Sequence, residues 1–153
     1  MSFALTTECR LDRLARRIRS AREVTPELVE QLIDVCPRIR LVNRSGEVAG
    51  RVAALVEQHA WLDLGLALIR IEMPAWTLRH LIYDNGTWHC SLSQQPNMPL
   101  DFDDSVDAEH EALPLAVFAA ILQARQRAEP LLMRAAPSAG PIAGNAICCD
   151  NFA

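Results

Sequence analysis

The chain has 153 residues, half of which are hydrophobic, and its formal net charge is −4. A chain of this length buries about 70% of its unfolded surface when it folds. We therefore expect residues 1–134 to form one domain that needs neither a metal nor a disulfide. All 15 basic residues are arginines. Because no lysine is present, lysine Schiff bases and the lysine contact of a P-loop are excluded.

The first predicted helix carries much of the positive charge of the chain. It is expected to begin after Thr6 or Thr7, either of which can cap a helix. The hydrophobic residues that follow recur at helical spacing, and Arg13, Arg16 and Arg17 lie on the opposite side. The helix should therefore bury its leucines and expose a basic face.

Two further helices are predicted in the first half of the chain. The second starts at Thr25 and Pro26, because threonine can accept a hydrogen bond from a free backbone amide and proline suits the first helical position. It should end at Pro37, whose ring is incompatible with a helix interior. The third is expected over about residues 47–62 and should end at Gly65.

Alternation of hydrophobic and polar residues predicts the strands. Residues 66–73 alternate clearly, and the segments 76–83 and 87–93 flank a turn signal at 84–86. Together these segments predict a three-stranded antiparallel meander. Residues 38–44 also alternate, but the sequence leaves open whether they form a short strand.

The turn between the last two predicted strands decides which side chains face the core. A two-residue turn at Asn85 and Gly86 would place Leu81 opposite Cys90 and mix apolar with polar residues on both faces. A three-residue loop, with Gly86 in a bulge, places His80 opposite Cys90 and separates the two classes. Since a shift of one residue moves every side chain to the other face, we predict the three-residue loop. The apolar face would then carry Trp76, Leu78, His80, Ile82, Trp88, Cys90 and Leu92.

The segment after the hairpin is acidic. Residues 94–112 are predicted to form a long exposed loop, with carboxylates at Asp101, Asp103, Asp104, Asp107, Glu109 and Glu111. A fourth helix begins at Leu113, should cover the apolar face of the sheet, and should end or kink at Pro130. Residues 135–153 are rich in Ala, Pro, Gly and Ser and are predicted to form a flexible tail. The predicted fold is α+β: about three N-terminal helices, a three-stranded antiparallel meander, and a C-terminal helix packed on the sheet.

One pair of residues in the predicted hairpin suggests a thiol enzyme. Directly opposed residues in a sheet have Cβ atoms about 4.5–5.5 Å apart, so His80 could accept the proton of the Cys90 thiol. The hydrophobic surroundings argue against this role, because burial raises the pKa of a thiol and makes it unreactive. The 5 cysteines show no Cys-x-x-Cys spacing and the histidines fall on different faces or elements, so neither a metal site nor a cofactor is predicted.

The uneven distribution of charge suggests the leading functional interpretation. Residues 1–51 carry ten arginines against seven acidic residues, whereas residues 52–153 carry five arginines against twelve. A basic helix and an acidic loop in one small chain indicate a non-enzymatic domain that binds a protein partner or a second copy of itself.

The sequence also leaves two alternative functions open. The first is the thiol enzyme that uses Cys90 with His80. The second is nucleic-acid binding through the arginine-rich N-terminal region, against which an isoelectric point of about 5.5 argues. The sequence shows neither an export signal nor an apolar run long enough to span a bilayer. A cytoplasmic location without a membrane partner is therefore expected.

Overall fold

Five helices precede a three-stranded sheet in the described part of the chain, and one helix follows it. The computed structural model describes residues 2–42, 46–99 and 104–134, with side chains at 9–39, 46–99 and 104–128. The helices are α1 (Ser2–Ser20), α2 (Pro26–Asp34), α3 (Pro37–Val42), α4 (Glu47–Glu57), α5 (Trp61–Glu72) and α6 (Leu113–Arg134). The strands are β1 (Thr77–Asp84), β2 (Thr87–Ser93) and β3 (Val106–His110). This arrangement confirms the α+β fold with a C-terminal helix packed on an antiparallel sheet; the predicted tail at 135–153 lies outside the described residues.

The first two helices follow the local sequence signals closely. Helix α1 buries Leu11, Leu14 and Ile18 as its apolar stripe predicts, but it already begins at Ser2, so the start predicted at Thr6 or Thr7 is wrong. Helix α2 begins as predicted. The hydroxyl of Thr25 accepts a hydrogen bond from the Leu28 amide at 3.4 Å and thereby satisfies a free donor of the first turn.

The chain between α2 and the sheet is more helical than the sequence predicts. The sequence left open whether residues 38–44 form a strand; residues 38–42 instead belong to helix α3, which Pro37 opens. The helix predicted over 47–62 ends at Glu57, and His59 adopts a left-handed backbone with φ 52° that separates α4 from α5. The strand predicted at 66–73 is also wrong, because these residues continue α5 to Glu72.

Helix α5 packs closely against α6 at a glycine. Gly65 lies inside α5 rather than at the end of a helix, and it is buried. A Cβ atom at this position would lie 2.8 Å from Val117 Cγ1 and 3.3 Å from Phe118 Cε1, both in α6. The missing side chain therefore allows the two helices to approach each other at this point.

The sheet has the order β1-β2-β3, and both of its pairings are antiparallel. Asn85 and Gly86 form a two-residue turn with φ 49° and 88°, the left-handed pair of a type I′ turn. The predicted three-residue loop is therefore wrong. The ladder between β1 and β2 is irregular between Leu78 and His80, which leaves Arg79 as an extra residue.

One buried ion pair connects helices within the apolar core. The Glu72 carboxylate of α5 accepts hydrogen bonds from the Ile39 amide in α3 and from Arg125 Nη1 of α6, the latter at 3.2 Å. The Glu72 side chain is 1% exposed and that of Arg125 is 14% exposed. Nearby, burial and the Glu72 charge raise the pKa of the Cys36 thiol to about 12. This cluster therefore has a structural role in joining the helices.

Candidate functional site

Strand β3 is an open edge of the sheet, and the hairpin turn fixes which of its backbone groups are unpaired. A type I′ turn is closed by a hydrogen-bonded pair, here Asp84 with Thr87, and hydrogen-bonded pairs then alternate along each strand. The alternation makes Cys90 of β2 and Ala108 of β3 a hydrogen-bonded pair, so the amide and carbonyl of Ala108 point towards β2. The corresponding groups of Asp107 and Glu109 therefore point away from the sheet. No other backbone–backbone hydrogen bond of the described chain involves these two residues.

A groove runs beside this open edge. We call it the β3 groove; its walls come from α1, β3 and α6, and its cavity volume is about 860 Å³. Its small lining residues are Ala15, Ala108 and Ala119, one from each element, and they leave space where the three elements meet. The remaining lining residues are Asp12, Arg16, Arg19, Asp107, Glu109, Gln123 and Gln126.

The β3 groove continues into a second cavity near the end of α1. That cavity has a volume of about 380 Å³ and shares Arg19 and Glu109 with the first. It adds Arg22 from the chain after α1 and Glu111 from the chain after β3. The two cavities together form a trough alongside β3 from Asp107 to His110.

The two walls of the trough differ in charge. Arg16 and Arg19 lie on the α1 side, together with Asp12, whose carboxylate accepts a hydrogen bond of 2.7 Å from Gln126 of α6. Asp107 and Glu109 lie on the β3 side. No ion pair joins the two sides among the described residues; the carboxylate of Glu109 instead lies 3.3 Å from His89 Nδ1 on β2. The guanidinium groups of Arg16 and Arg19 and the carboxylate of Asp107 therefore remain available to a ligand between the walls.

The predicted basic face of α1 is divided by the fold. Arg16 lines the β3 groove, whereas Arg13 and Arg17 line a separate cavity of about 290 Å³ between α1 and α2. In that cavity Arg17 donates a hydrogen bond of 2.7 Å to Gln31. The three arginines are exposed, as predicted, but they do not form one continuous surface.

The predicted acidic loop is partly a strand. Asp107 and Glu109 belong to β3, so the description of 94–112 as a structureless connection is wrong. Asp104 and Glu111 are exposed on either side of the strand, and Asp101 and Asp103 lie outside the described residues. The signal for this strand was present in the sequence, because Val106, Ala108 and His110 alternate with the two acidic residues.

The predicted catalytic pair is not formed. The observed register places Leu81 opposite Cys90, and His80 opposite Ser91. Cys90 is 1% exposed, and burial, with a smaller contribution from the charge of Asp107, raises the pKa of its thiol to about 12. The geometric basis for proton transfer from Cys90 to His80 is therefore absent.

The residue that does lie opposite His80 is not activated either. Ser91 is fully buried between His80 on β1 and Asp107 on β3. Its hydroxyl has no hydrogen-bond partner within the described residues. A nucleophilic serine requires a base within hydrogen-bond distance, and neither neighbour supplies one in this arrangement.

Comparison with known proteins identifies no relative. The chain matches no protein-family model, and no curated protein or solved structure shows significant similarity to it. Within the described ranges, no helix is long and apolar enough to cross a membrane. The same ranges hold no group of three His, Cys, Asp or Glu side chains placed to bind a metal ion. The open edge of β3 and the groove beside it are therefore the features of the described chain that bear on its function.

Proposed function

We propose that this chain is a protein-interaction module that binds an extended segment of a partner protein along the open edge of β3. The observation that carries the proposal is the position of Asp107 and Glu109, whose unpaired backbone groups face a groove of about 860 Å³. Addition of a strand to an open sheet edge is a recurring mode of peptide recognition, in which main-chain hydrogen bonds provide affinity.

The backbone of the groove supplies four hydrogen-bonding groups to such a ligand. Asp107 and Glu109 each offer one amide donor and one carbonyl acceptor at the edge. A strand paired there would lie about 4.8 Å from β3, on the side where α1 and α6 line the groove. Several residues of the ligand would then enter the trough without a rearrangement of the sheet.

The charges of the two walls define the side chains that such a strand should carry. Successive side chains of a strand point to opposite faces. One set would lie beside Asp107 and Glu109, where basic residues fit, and the other set would face Arg16 and Arg19, where acidic residues fit. The preferred ligand therefore alternates basic and acidic residues.

The two alternative functions have less support. The thiol enzyme loses its geometric basis because Leu81, not His80, lies opposite Cys90. Nucleic-acid binding favours a continuous basic surface, whereas Arg13 and Arg16 lie in different cavities and Arg16 shares its groove with carboxylates.

The proposal also includes a cytoplasmic location. The three cysteines described by the structure, Cys9, Cys36 and Cys90, are all unpaired thiols. Unpaired thiols in a chain of this size are typical of reducing compartments.

Fluorescence anisotropy with three labelled peptides tests the proposal. The first peptide has ten residues in which lysine and glutamate alternate, and the second has the same composition with the lysines and glutamates in two separate blocks. The third is the alternating peptide with N-methyl groups on every second amide, which removes the donors of one strand edge. We expect the alternating peptide to bind at least about tenfold more tightly than either control, because only it combines both side-chain patterns with a free strand edge. Equal binding of all three peptides would refute the proposal.

Two arginine variants of α1 localise the binding site. Arg16→Glu reverses a charge of the β3 groove, whereas Arg13→Glu makes the same change on the other side of the helix. We expect Arg16→Glu to weaken binding of the alternating peptide at least about threefold, as the loss of partly exposed ion pairs implies. Binding to the Arg13→Glu variant should remain within about twofold of the unsubstituted protein. The opposite order of effects would place the peptide outside the β3 groove.

A further inference from the structure

The other edge of the sheet exposes hydrophobic side chains. Strand β1 has β2 on one side only. Leu78, Ile82 and Tyr83 on this strand are 37%, 52% and 58% exposed, and they make up three of the four large hydrophobic residues exposed in the described chain. Exposed hydrophobic residues on an open strand are characteristic of a surface that pairs with another chain.

The hairpin register identifies the backbone groups that are unpaired on β1. Asp84 bonds to Thr87 across the turn, so the alternation directs the amides and carbonyls of Leu81 and Tyr83 away from β2. No backbone–backbone hydrogen bond outside the helices and sheet involves either residue in the part of the chain that the structure describes. A strand that pairs with this edge must therefore match these groups in a particular register.

One antiparallel register between two copies of β1 satisfies all of these groups. Centring the pair on Ile82 places Leu81 of each copy opposite Tyr83 of the other, as a hydrogen-bonded pair. Two such pairs exchange four backbone hydrogen bonds. Ile82 then lies opposite its own copy in a closely spaced pair, where its exposed side chain becomes covered.

The side chains at the ends of this register are also complementary. His80 of each copy lies opposite Asp84 of the other, which joins an imidazole to a carboxylate at two symmetric positions. The extra residue Arg79 follows immediately, and the irregularity in the strand ends the pairing there. From this complementarity we infer that the chain forms a two-fold symmetric dimer through β1, with a continuous six-stranded sheet.

The β3 edge cannot associate with its own copy in the same way. The unpaired backbone groups of this edge belong to Asp107 and Glu109. Each hydrogen-bonded register between two copies therefore places the carboxylates of one copy opposite or next to those of the other. Directly opposed like charges destabilise a strand pair. The dimer therefore uses β1 and leaves a β3 groove open at each end of the extended sheet, so this inference does not depend on the proposed function.

Analytical ultracentrifugation over about 10 μM to about 1 mM tests the dimer. This range is appropriate because five residues on each side form a small interface, and small interfaces are weak. We expect a reversible monomer–dimer equilibrium. A monomer throughout the range would overturn the inference. So would assemblies that continue to grow beyond two copies, because they indicate head-to-tail contacts rather than a two-fold interface.

A single lysine substitution tests whether the dimer interface lies on β1. Ile82→Lys places two positive charges opposite each other at the symmetry axis, so it should raise the dissociation constant at least about tenfold. Met98→Lys is the matched control, because Met98 is exposed to a similar extent, 43%, but lies outside β1. Equal effects of the two substitutions would overturn the inference.

A charge exchange checks the register itself. Asp84→Lys alone places lysine opposite His80, and His80→Glu alone places glutamate opposite Asp84, so each variant should dimerise more weakly than the unsubstituted protein. An equimolar mixture of the two variants restores opposite charges at both positions and should form a heterodimer. If the mixture stays as monomeric as its components while circular dichroism shows both to be folded, the proposed register is refuted.

Discussion

The contact at Gly65 provides the most direct test of how the helices pack. Gly65→Ala adds one methyl group to α5 at a position 2.8 Å from Val117 Cγ1 and 3.3 Å from Phe118 Cε1. Both neighbours are fully buried in α6, so neither can move into solvent. Additional methyl groups in a well-packed core cost about 1–3 kcal/mol.

A second effect of this substitution has the opposite sign. Alanine is favoured over glycine in a helix interior by about 1 kcal/mol. The contact of 2.8 Å is closer than real Cβ atoms show, which places the packing cost in the upper part of its range. We therefore expect Gly65→Ala to lower the free energy of unfolding by about 1–2 kcal/mol and the melting temperature by about 2–8 °C.

Gly50→Ala is the matched control for this measurement. Gly50 lies in α4, is exposed, and has no atom within 4 Å of the added methyl position. The control should therefore raise the free energy of unfolding by about 0.5–1 kcal/mol. Urea denaturation monitored by circular dichroism measures both variants. If Gly65→Ala is stabilised as much as Gly50→Ala, the close approach of α5 to α6 is incorrect.

The remaining predictions concern the buried thiols and the buried ion pair. Iodoacetamide at neutral pH should label Cys9, which is exposed, and leave Cys36 and Cys90 unlabelled in the folded protein; rapid labelling of either buried thiol would contradict the described core. Burial raises the pKa of both thiols from 9.0 to about 12. The contribution of the protonated thiols to the free energy of unfolding is therefore complete below pH 9 and declines as the pH rises towards 12. Urea denaturation at a series of pH values should show this decline in the unsubstituted protein and not in a Cys36→Ala/Cys90→Ala variant. Arg125→Met leaves the Glu72 carboxylate without its cation and should cost about 3–5 kcal/mol of unfolding free energy in urea denaturation; adding Glu72→Met should recover part of that cost, and no recovery would show that the pair is not coupled.

The hairpin shows why the sequence located an element without fixing its register. The turn at Asn85 and Gly86 was identified from local signals, and both residues adopt the left-handed backbone that a two-residue turn requires. With a two-residue turn and an unbroken ladder, Arg79 would face Leu92, and avoiding that pairing led to the incorrect three-residue loop. The irregularity at Arg79 removes that conflict, because Leu78 then pairs with Leu92. A bulge depends on how the strand fits its neighbours, so alternation alone could not reveal it.

The sequence by itself determined the elements whose local signals are strong. The cap at Thr25, the buried stripe of α1 and the helix that begins at Leu113 each depend on residues within a few turns of one another. Tertiary packing decided the rest. Residues 66–73 are helical because Gly65 and the buried face of α5 fit against α6, which outweighs their alternation. The β3 groove likewise exists only because three distant elements meet around small side chains, a juxtaposition that no local pattern encodes.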